Sequence, residues 1–186
     1  DQTLIQTVGD GLTSGVWLES LTVGVLKDGA VDFTAGAHLQ GVSGAVVRDC
    51  SFQGMSFGLS MRGSSGVVGD CSFSTGTMGI LVDEAPQQVT LNQNQVHLPP
   101  RASDSAGQIG IAGFLSPIYA TGNDVQIKGT QAGYVSGMFY HGSPDVVVSE
   151  NHIKCSADIV GKSKTNVDGL VLDNVERLEV SENKVE

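Results

Sequence analysis

GAHLQGVSGAVVRDCSF (residues 36–52) lies over GLSMRGSSGVVGDCSF (residues 58–73) with a single one-residue gap, and this self-similarity decides the fold. With the leading glycine as anchor, the pattern recurs at Gly15, Gly36, Gly58, Gly79, Gly110, Gly137 and Gly169, in steps of 21, 22, 21, 31, 27 and 32 residues. Pro86, Pro117 and Pro144 each stand seven residues after their glycine. Thirteen to fifteen residues after the glycine comes a thiol or amide: Cys50, Cys71, Asn94, Asn123, Asn151 and Asn183. Two places further on stands an apolar residue: Phe52, Phe73, Val96, Val125, Ile153 or Val185. Three columns that keep their places together are a repeat, which must be recognised before any element is assigned.

Within each copy the apolar positions alternate. Val16 and Leu18, Ala37 and Leu39, Leu59 and Met61, Ile80 and Val82, Ile111 and Gly113, Met138 and Tyr140, Leu170 and Leu172 stand one and three residues after the glycine. A period of two is a half-buried strand, not a helix. A unit of about 21 residues made of strand, turn and strand cannot bury its own inner face; stacked in register at ~4.8 Å it forms a continuous core. The expected architecture is all-β, a parallel solenoid of about seven coils in one domain over 1–186. Val16, Leu39, Leu59, Ile80, Val82, Ile111, Met138 and Leu170 are expected inside. Asn94, Asn123 and Asn151 are expected to stack at one corner and bond neighbouring coils, so that Asn123→Leu loses about 1 to 3 kcal/mol.

The glycine, proline and Asn/Cys columns together resemble the right-handed parallel β-helix repeat family, the pectate-lyase-like superfold, over roughly residues 15–186. The resemblance implies the right hand of the coil and an extracellular, cell-surface or virion setting. Its best-known catalytic signatures are not matched. The paired Asp-Asp, Gly-His-Gly and Arg-Ile-Lys of polygalacturonase-like members have only the fragments QIK (126–128) and NVD (166–168) here, and the Asp-Pro-His-Glu of mannuronan epimerases has no counterpart.

Composition narrows the partners. Ten Lys and Arg against 20 Asp and Glu give a net charge of −10. With no basic cluster, sequence-independent grip on nucleic acid is not expected, because that affinity comes from phosphate neutralisation. No stretch of about eighteen apolar residues is present to span a bilayer. Cys50, Cys71 and Cys155 follow no metal-ligand spacing and, as an odd number, define no disulfide framework; Cys50 and Cys71, on adjacent coils, are read as buried thiols. The chain reads as a piece of a longer protein. After Asn183 only Lys184, Val185 and Glu186 follow, too few for a cap, so either the polypeptide continues or another subunit covers the last coil.

The extra residues of the long copies fall in one place, between the Asn and the next glycine: 97–106, about 126–136, and 154–168. Three enlarged turns on one edge can wall a binding surface, or can be a harmless cluster of loops. Beside them runs the outward column two and four residues after the glycine: Trp17 and Glu19, His38 and Gln40, Ser60 and Arg62, Leu81 and Asp83, Ala112 and Phe114, Phe139 and His141, Val171 and Asp173. Rings beside carboxylates and an imidazole suit sugar recognition, and the same apolar residues equally suit a subunit interface. His141 and Asp173 on adjacent coils are the candidate acid/base couple, with Asp83 as a third catalytic candidate, Phe114, Phe139 and Arg62 lining the groove, and Lys162 and Lys164 reaching the substrate from the inserted turn. Asp83 and Asp173 lie three coils apart, about 14 Å at ~4.8 Å per coil, too far for the carboxylate pair of glycoside cleavage.

One further column, Asp28, Asp49, Asp70, Gln93, Gly122, Glu150 and Glu182, directly precedes the ladder. Its stacked acids are compensated either by Lys27 and Arg48 or by bound Ca²⁺, the one cofactor the sequence raises. Three functions stay open: a carbohydrate-associated module that binds or processes a polysaccharide along the solenoid, as a lyase or glycoside hydrolase if it is an enzyme; a structural or receptor-binding spike domain, tailspike-like and homotrimeric, without catalysis; and, third, a scaffold with no ligand.

Overall fold

The computed structural model describes residues 3–24, 35–100, 107–129, 134–157 and 166–186. Three parallel sheets of seven strands run the length of the molecule. Every strand pairs with its equivalent one coil away, so the described chain is a solenoid of seven coils. The first sheet consists of Thr3–Ser14, Ala35–Ser43, Phe57–Arg62, Met78–Asp83, Gln108–Phe114, Tyr134–His141 and Asn166–Asp173, in coils 1 to 7. Coil 5 shows the course of one turn: Gln108–Phe114 in the first sheet, Ile118–Thr121 in the second and Asp124–Gly129 in the third.

The alternating residues of all three sheets point into one core. Leu39, Leu59, Ile80, Val82, Ile111 and Met138 are fully buried, as expected, and Tyr140, Phe52 and Phe73 join them. Phe52 and Phe73 stack at 5.0 Å with their rings nearly parallel, the arrangement that identical positions on adjacent coils impose. The glycine column has a steric cause. A Cβ built on Gly137 would stand 2.2 Å from Ile153 Cγ2 and 2.5 Å from the Gly169 carbonyl oxygen, and Gly58, Gly79 and Gly110 meet Phe73, Val96 and Val125 in the same way. The chain turns from the third sheet back to the first across the apolar residue two places after the Asn. From coil 2 to coil 7 only a residue without a side chain fits there.

The other two corners are locked by a repeated device. The residue before each Asn or Cys has a left-handed backbone, with φ of 51° at Asp49, 55° at Asp70, 55° at Gln93, 64° at Gly122, 57° at Glu150 and 55° at Glu182. The acids of this column are therefore turn residues with outward side chains. Asp is among the few L-residues that tolerate this conformation through local hydrogen bonding. The buried residue that follows forms the ladder. Asn123 Nδ2 donates to Asn151 Oδ1 at 2.9 Å and to the Leu91 carbonyl at 2.9 Å, while its Oδ1 accepts from the Asn94 backbone N–H and Nδ2, both at 3.0 Å. Asn151 repeats the pattern onto Asn183. Cys71 continues it: its backbone N–H donates to Asn94 Oδ1, and its thiol donates to the carbonyls of Gly69 and Val47. All three cysteines are free thiols.

A second ladder, at the corner between the first and second sheets, is absent from the sequence reading. Ser64, Ser116 and Ser143, each six residues after its glycine, are fully buried. Ser64 Oγ accepts from the Val42 N–H and shares its one proton between the carbonyls of Arg62 and Leu39, and Ser116 Oγ serves the Ala85 N–H and the Phe114 carbonyl. Here too the preceding residue is left-handed, including the bulky Leu115 at 49°.

Coil 1 departs from the expected register. Ile5 pairs with Ala37 and Gln6 with His38, so Gln6 takes the place given to Trp17, and the anchoring position is Leu4 rather than Gly15. Trp17 and Glu19 pair with Val46 and Arg48 in the second sheet and lie outside the first-sheet column. Val16 and, in coil 7, Leu170 are only partly buried. In the acidic column Ser20, with φ 54°, holds the first-coil place assigned to Asp28; Lys27 and Asp28 lie outside the described residues. The first long strand carries an irregularity between Val8 and Thr13. That extra length moves the Gly15 motif one sheet along.

Candidate functional site

The outward column of the first sheet in coils 2 to 7 is set by strand pairing. Leu81 lies beside Ala112 and Asp83 beside Phe114. Ala112 lies beside Phe139 and Phe114 beside His141. Phe139 lies beside Val171 and His141 beside Asp173. The parity that sends Ile111, Met138 and Tyr140 inward sends Phe114, Phe139 and His141 out. Phe114 and Phe139 are half-buried, with ring centroids 5.6 Å apart and planes tilted by 43°. The His141 ring stands 6.5 Å from Phe114.

His141 Nδ1 and Asp173 Oδ2 are 2.8 Å apart on exposed side chains, the couple expected from adjacent coils. A carboxylate on Nδ1 orients the ring and leaves Nε2 to face a ligand as proton donor or acceptor. Asp83 belongs to a different group: Arg62 lies 3.6 Å from both Asp83 and Glu84, so this carboxylate and this guanidinium engage one another in coils 3 and 4 of the column. His38 Nδ1 contacts Ser60 Oγ at 3.1 Å further along the same face. Lys162 and Lys164 lie outside the described residues, as do 101–106, 130–133 and 158–165 of the inserted turns.

Tyr134 is the functional candidate that the column missed. It begins the first-sheet strand of coil 6, where the enlarged turn ends, and meets Phe139 edge-on with centroids 6.3 Å apart. Burial pushes its phenol above the usual range. The Ser136 hydroxyl pulls the other way and the Asp168 carboxylate adds to the rise. Ser136 and Asp168 are register partners on coils 6 and 7. Tyr134 stands three residues before the glycine, outside the positions at which alternation was counted; a tyrosine ending an inserted turn was the available signal.

Elsewhere, Asp145 and Arg177 form an exposed ion pair on the second sheet that holds the Asp145 carboxyl below its ordinary range through the Arg177 hydrogen bond. On the third sheet His152 stands between Asp124, at 3.4 Å, and Glu186, at 3.7 Å. Among the described residues no group of three or more His, Cys, Asp or Glu could hold a metal ion, and no helix is long and apolar enough to cross a membrane.

Residues 35–186 match the family model described as the right handed beta helix region. Neither the curated proteins nor the solved structures include a match to the chain.

Proposed function

The chain belongs to the right-handed β-helix family, and from that premise we propose that its first-sheet face is a polysaccharide-binding surface running along the solenoid axis. The fold often carries a carbohydrate-binding groove. One observation carries the reading to these residues: the Phe114–Phe139 ring pair lies beside the His141–Asp173 couple on one outward face, in the coils whose turns are enlarged. Apolar rings stack on the faces of sugar rings while an imidazole and a carboxylate bond their hydroxyls. His141, oriented by Asp173, is the group through which we place proton transfer in any lyase or hydrolase activity. The reading carries an extracellular, cell-surface or virion location with it.

The test is a glycan array probed with wild type, Phe139→Ala and His141→Ala. Both variants should lose binding while the melting temperature stays within a few degrees, as outward positions should. A fall in melting temperature with glycan binding intact would assign these side chains to packing and end the reading. A second reading, a trimeric structural or spike domain, draws on a different face. The second-sheet column Trp17, Val46, Val67, Thr90, Tyr119 and Val147 is largely apolar, with Trp17 62% exposed. Sedimentation of wild type against Trp17→Ser separates the two, since only an oligomer held by this column dissociates.

A further inference from the structure

We infer that the first-sheet face takes an uncharged, hydroxyl-rich sugar chain rather than a polyuronate, gripped by two polar anchors, Tyr134–Asp168 and His141–Asp173, on either side of the phenylalanine pair. The inference rests on the sugar-binding reading of that face and adds the class of ligand and a second set of residues. Tyr134 touches Phe139, Phe139 touches Phe114, and Phe114 touches His141, each with centroids between 5.6 and 6.5 Å. The four rings make an unbroken aromatic floor across coils 5 and 6.

Each end of the floor finishes in an oxygen- or nitrogen-bearing ring next to a carboxylate. At one end Tyr134 opens the strand whose Ser136 lies in register with Asp168, and the Asp168 carboxylate adds to the burial-driven rise of the Tyr134 phenol. At the other, His141 holds Asp173. Both carboxylates come from the single strand Asn166–Asp173 of coil 7, Asp168 in register with Ser136 and Asp173 in register with His141. Ionised carboxylates only accept hydrogen bonds, and sugar hydroxyls are the donors that fit them.

Charge decides the class. Among the described residues of this face the acids are Asp83, Glu84, Asp168 and Asp173, and the one guanidinium, Arg62, is already shared between Asp83 and Glu84. A polymer carrying a carboxylate on every sugar would lay like charges against Asp168 and Asp173 with no Lys or Arg among the described residues of the floor to offset them, on a chain whose net charge is −10. A neutral chain meets no such repulsion and fills both anchors.

The experiment uses an array of neutral and uronate-bearing chains, read with wild type, Tyr134→Phe, Asp168→Asn/Asp173→Asn, Phe139→Ala and Lys162→Ala/Lys164→Ala. Neutral chains should bind at least tenfold more tightly than uronate-bearing ones, and the lysine variant should keep that preference. The double Asn variant should narrow the gap by raising uronate binding, and Tyr134→Phe should weaken neutral chains several-fold at an unchanged melting temperature. Preference for uronate chains, abolished by Phe139→Ala, would overturn the inference while leaving the sugar-binding face standing. An unchanged neutral-to-uronate ratio in the double Asn variant would overturn it too. No binding to any chain on the array would remove both.

Discussion

Asn123→Leu gives the ladder a number. The substitution keeps the side-chain volume and removes every polar atom from a position that is 1% exposed. Four hydrogen bonds of 2.9 to 3.0 Å disappear. They do not count equally. Asn151 Oδ1 still accepts from the Asn123 backbone N–H, and Asn94 Nδ2 still reaches the Val68 carbonyl. The buried Asn94 N–H, by contrast, loses its acceptor. One orphaned buried donor costs about 1–3 kcal/mol, and each further bond contributes about 0.5–1.5 kcal/mol net. With allowance for coupling among them, the loss is about 3–5 kcal/mol, above the 1 to 3 kcal/mol expected from sequence because one amide serves two neighbouring coils. Urea unfolding followed by far-ultraviolet circular dichroism measures it, with Gln126→Leu on the exposed face of the same coil as control. A loss below about 1 kcal/mol, or one equal to the control, would refute the ladder as a source of stability.

Gly137→Ala should destabilise by about 1–3 kcal/mol through overpacking against Ile153 and the Gly169 carbonyl, whereas Gly24→Ala, whose Cβ would meet nothing nearer than 3.7 Å, should be nearly neutral; equal urea midpoints for the two would contradict the steric account of the column. Burial pushes the Cys71 thiol from an ordinary 9.0 up to about 12. A folded value above the unfolded one means a contribution that is complete below pH 9 and lost as pH rises towards 12. The urea midpoint of wild type should therefore fall between pH 9 and 11, and Cys71→Asn, whose amide can donate to the same two carbonyls, should flatten that fall; parallel pH profiles would count against it.

The columns of the repeat were legible because each reports a local demand that recurs in every coil. Glycine marks a corner with no room for a side chain, Asn or Cys marks a buried donor, and alternation marks a strand with one face inside. The same logic made Phe114, Phe139, His141 and Asp173 legible as one face, since a common offset from the glycine is a common place in the sheet. Three things escaped. The serine ladder is interrupted by Val42, Ala85 and Val175 at its own offset, so small and apolar residues hid a polar column. Coil 1 was misassigned because Gly15, with φ 77° and open space around it, is a turn glycine that happens to precede an alternating stretch. The Tyr134–Asp168 pair lies before the anchor in both coils, where insertions destroy the spacing on which the reading depended.

Two of the three corners are clamped in coil after coil by a left-handed residue and a buried hydrogen-bonded one, whereas the third has no such repeated device beyond the glycine column, only single locks such as the buried Thr75, whose Oγ1 donates to the Met78 carbonyl. The chain has lengthened most in one place. From glycine to Asn or Cys the interval stays between 13 and 15 residues from coil 2 to coil 7, while from there to the next glycine it runs from 8 to 18. A single residue gained within a strand of the first interval would turn that strand inside out; the one- or two-residue differences that interval does carry fall between strands, as between Asp83 and Val89 in coil 4, while the second interval takes up the long insertions. The coil as a whole is the other permitted unit of change. Excising the 29 residues that separate Asn94 from Asn123 brings Asn94 opposite Asn151, one rung meeting an identical rung, so the solenoid can gain or shed whole turns in its lineage without a seam.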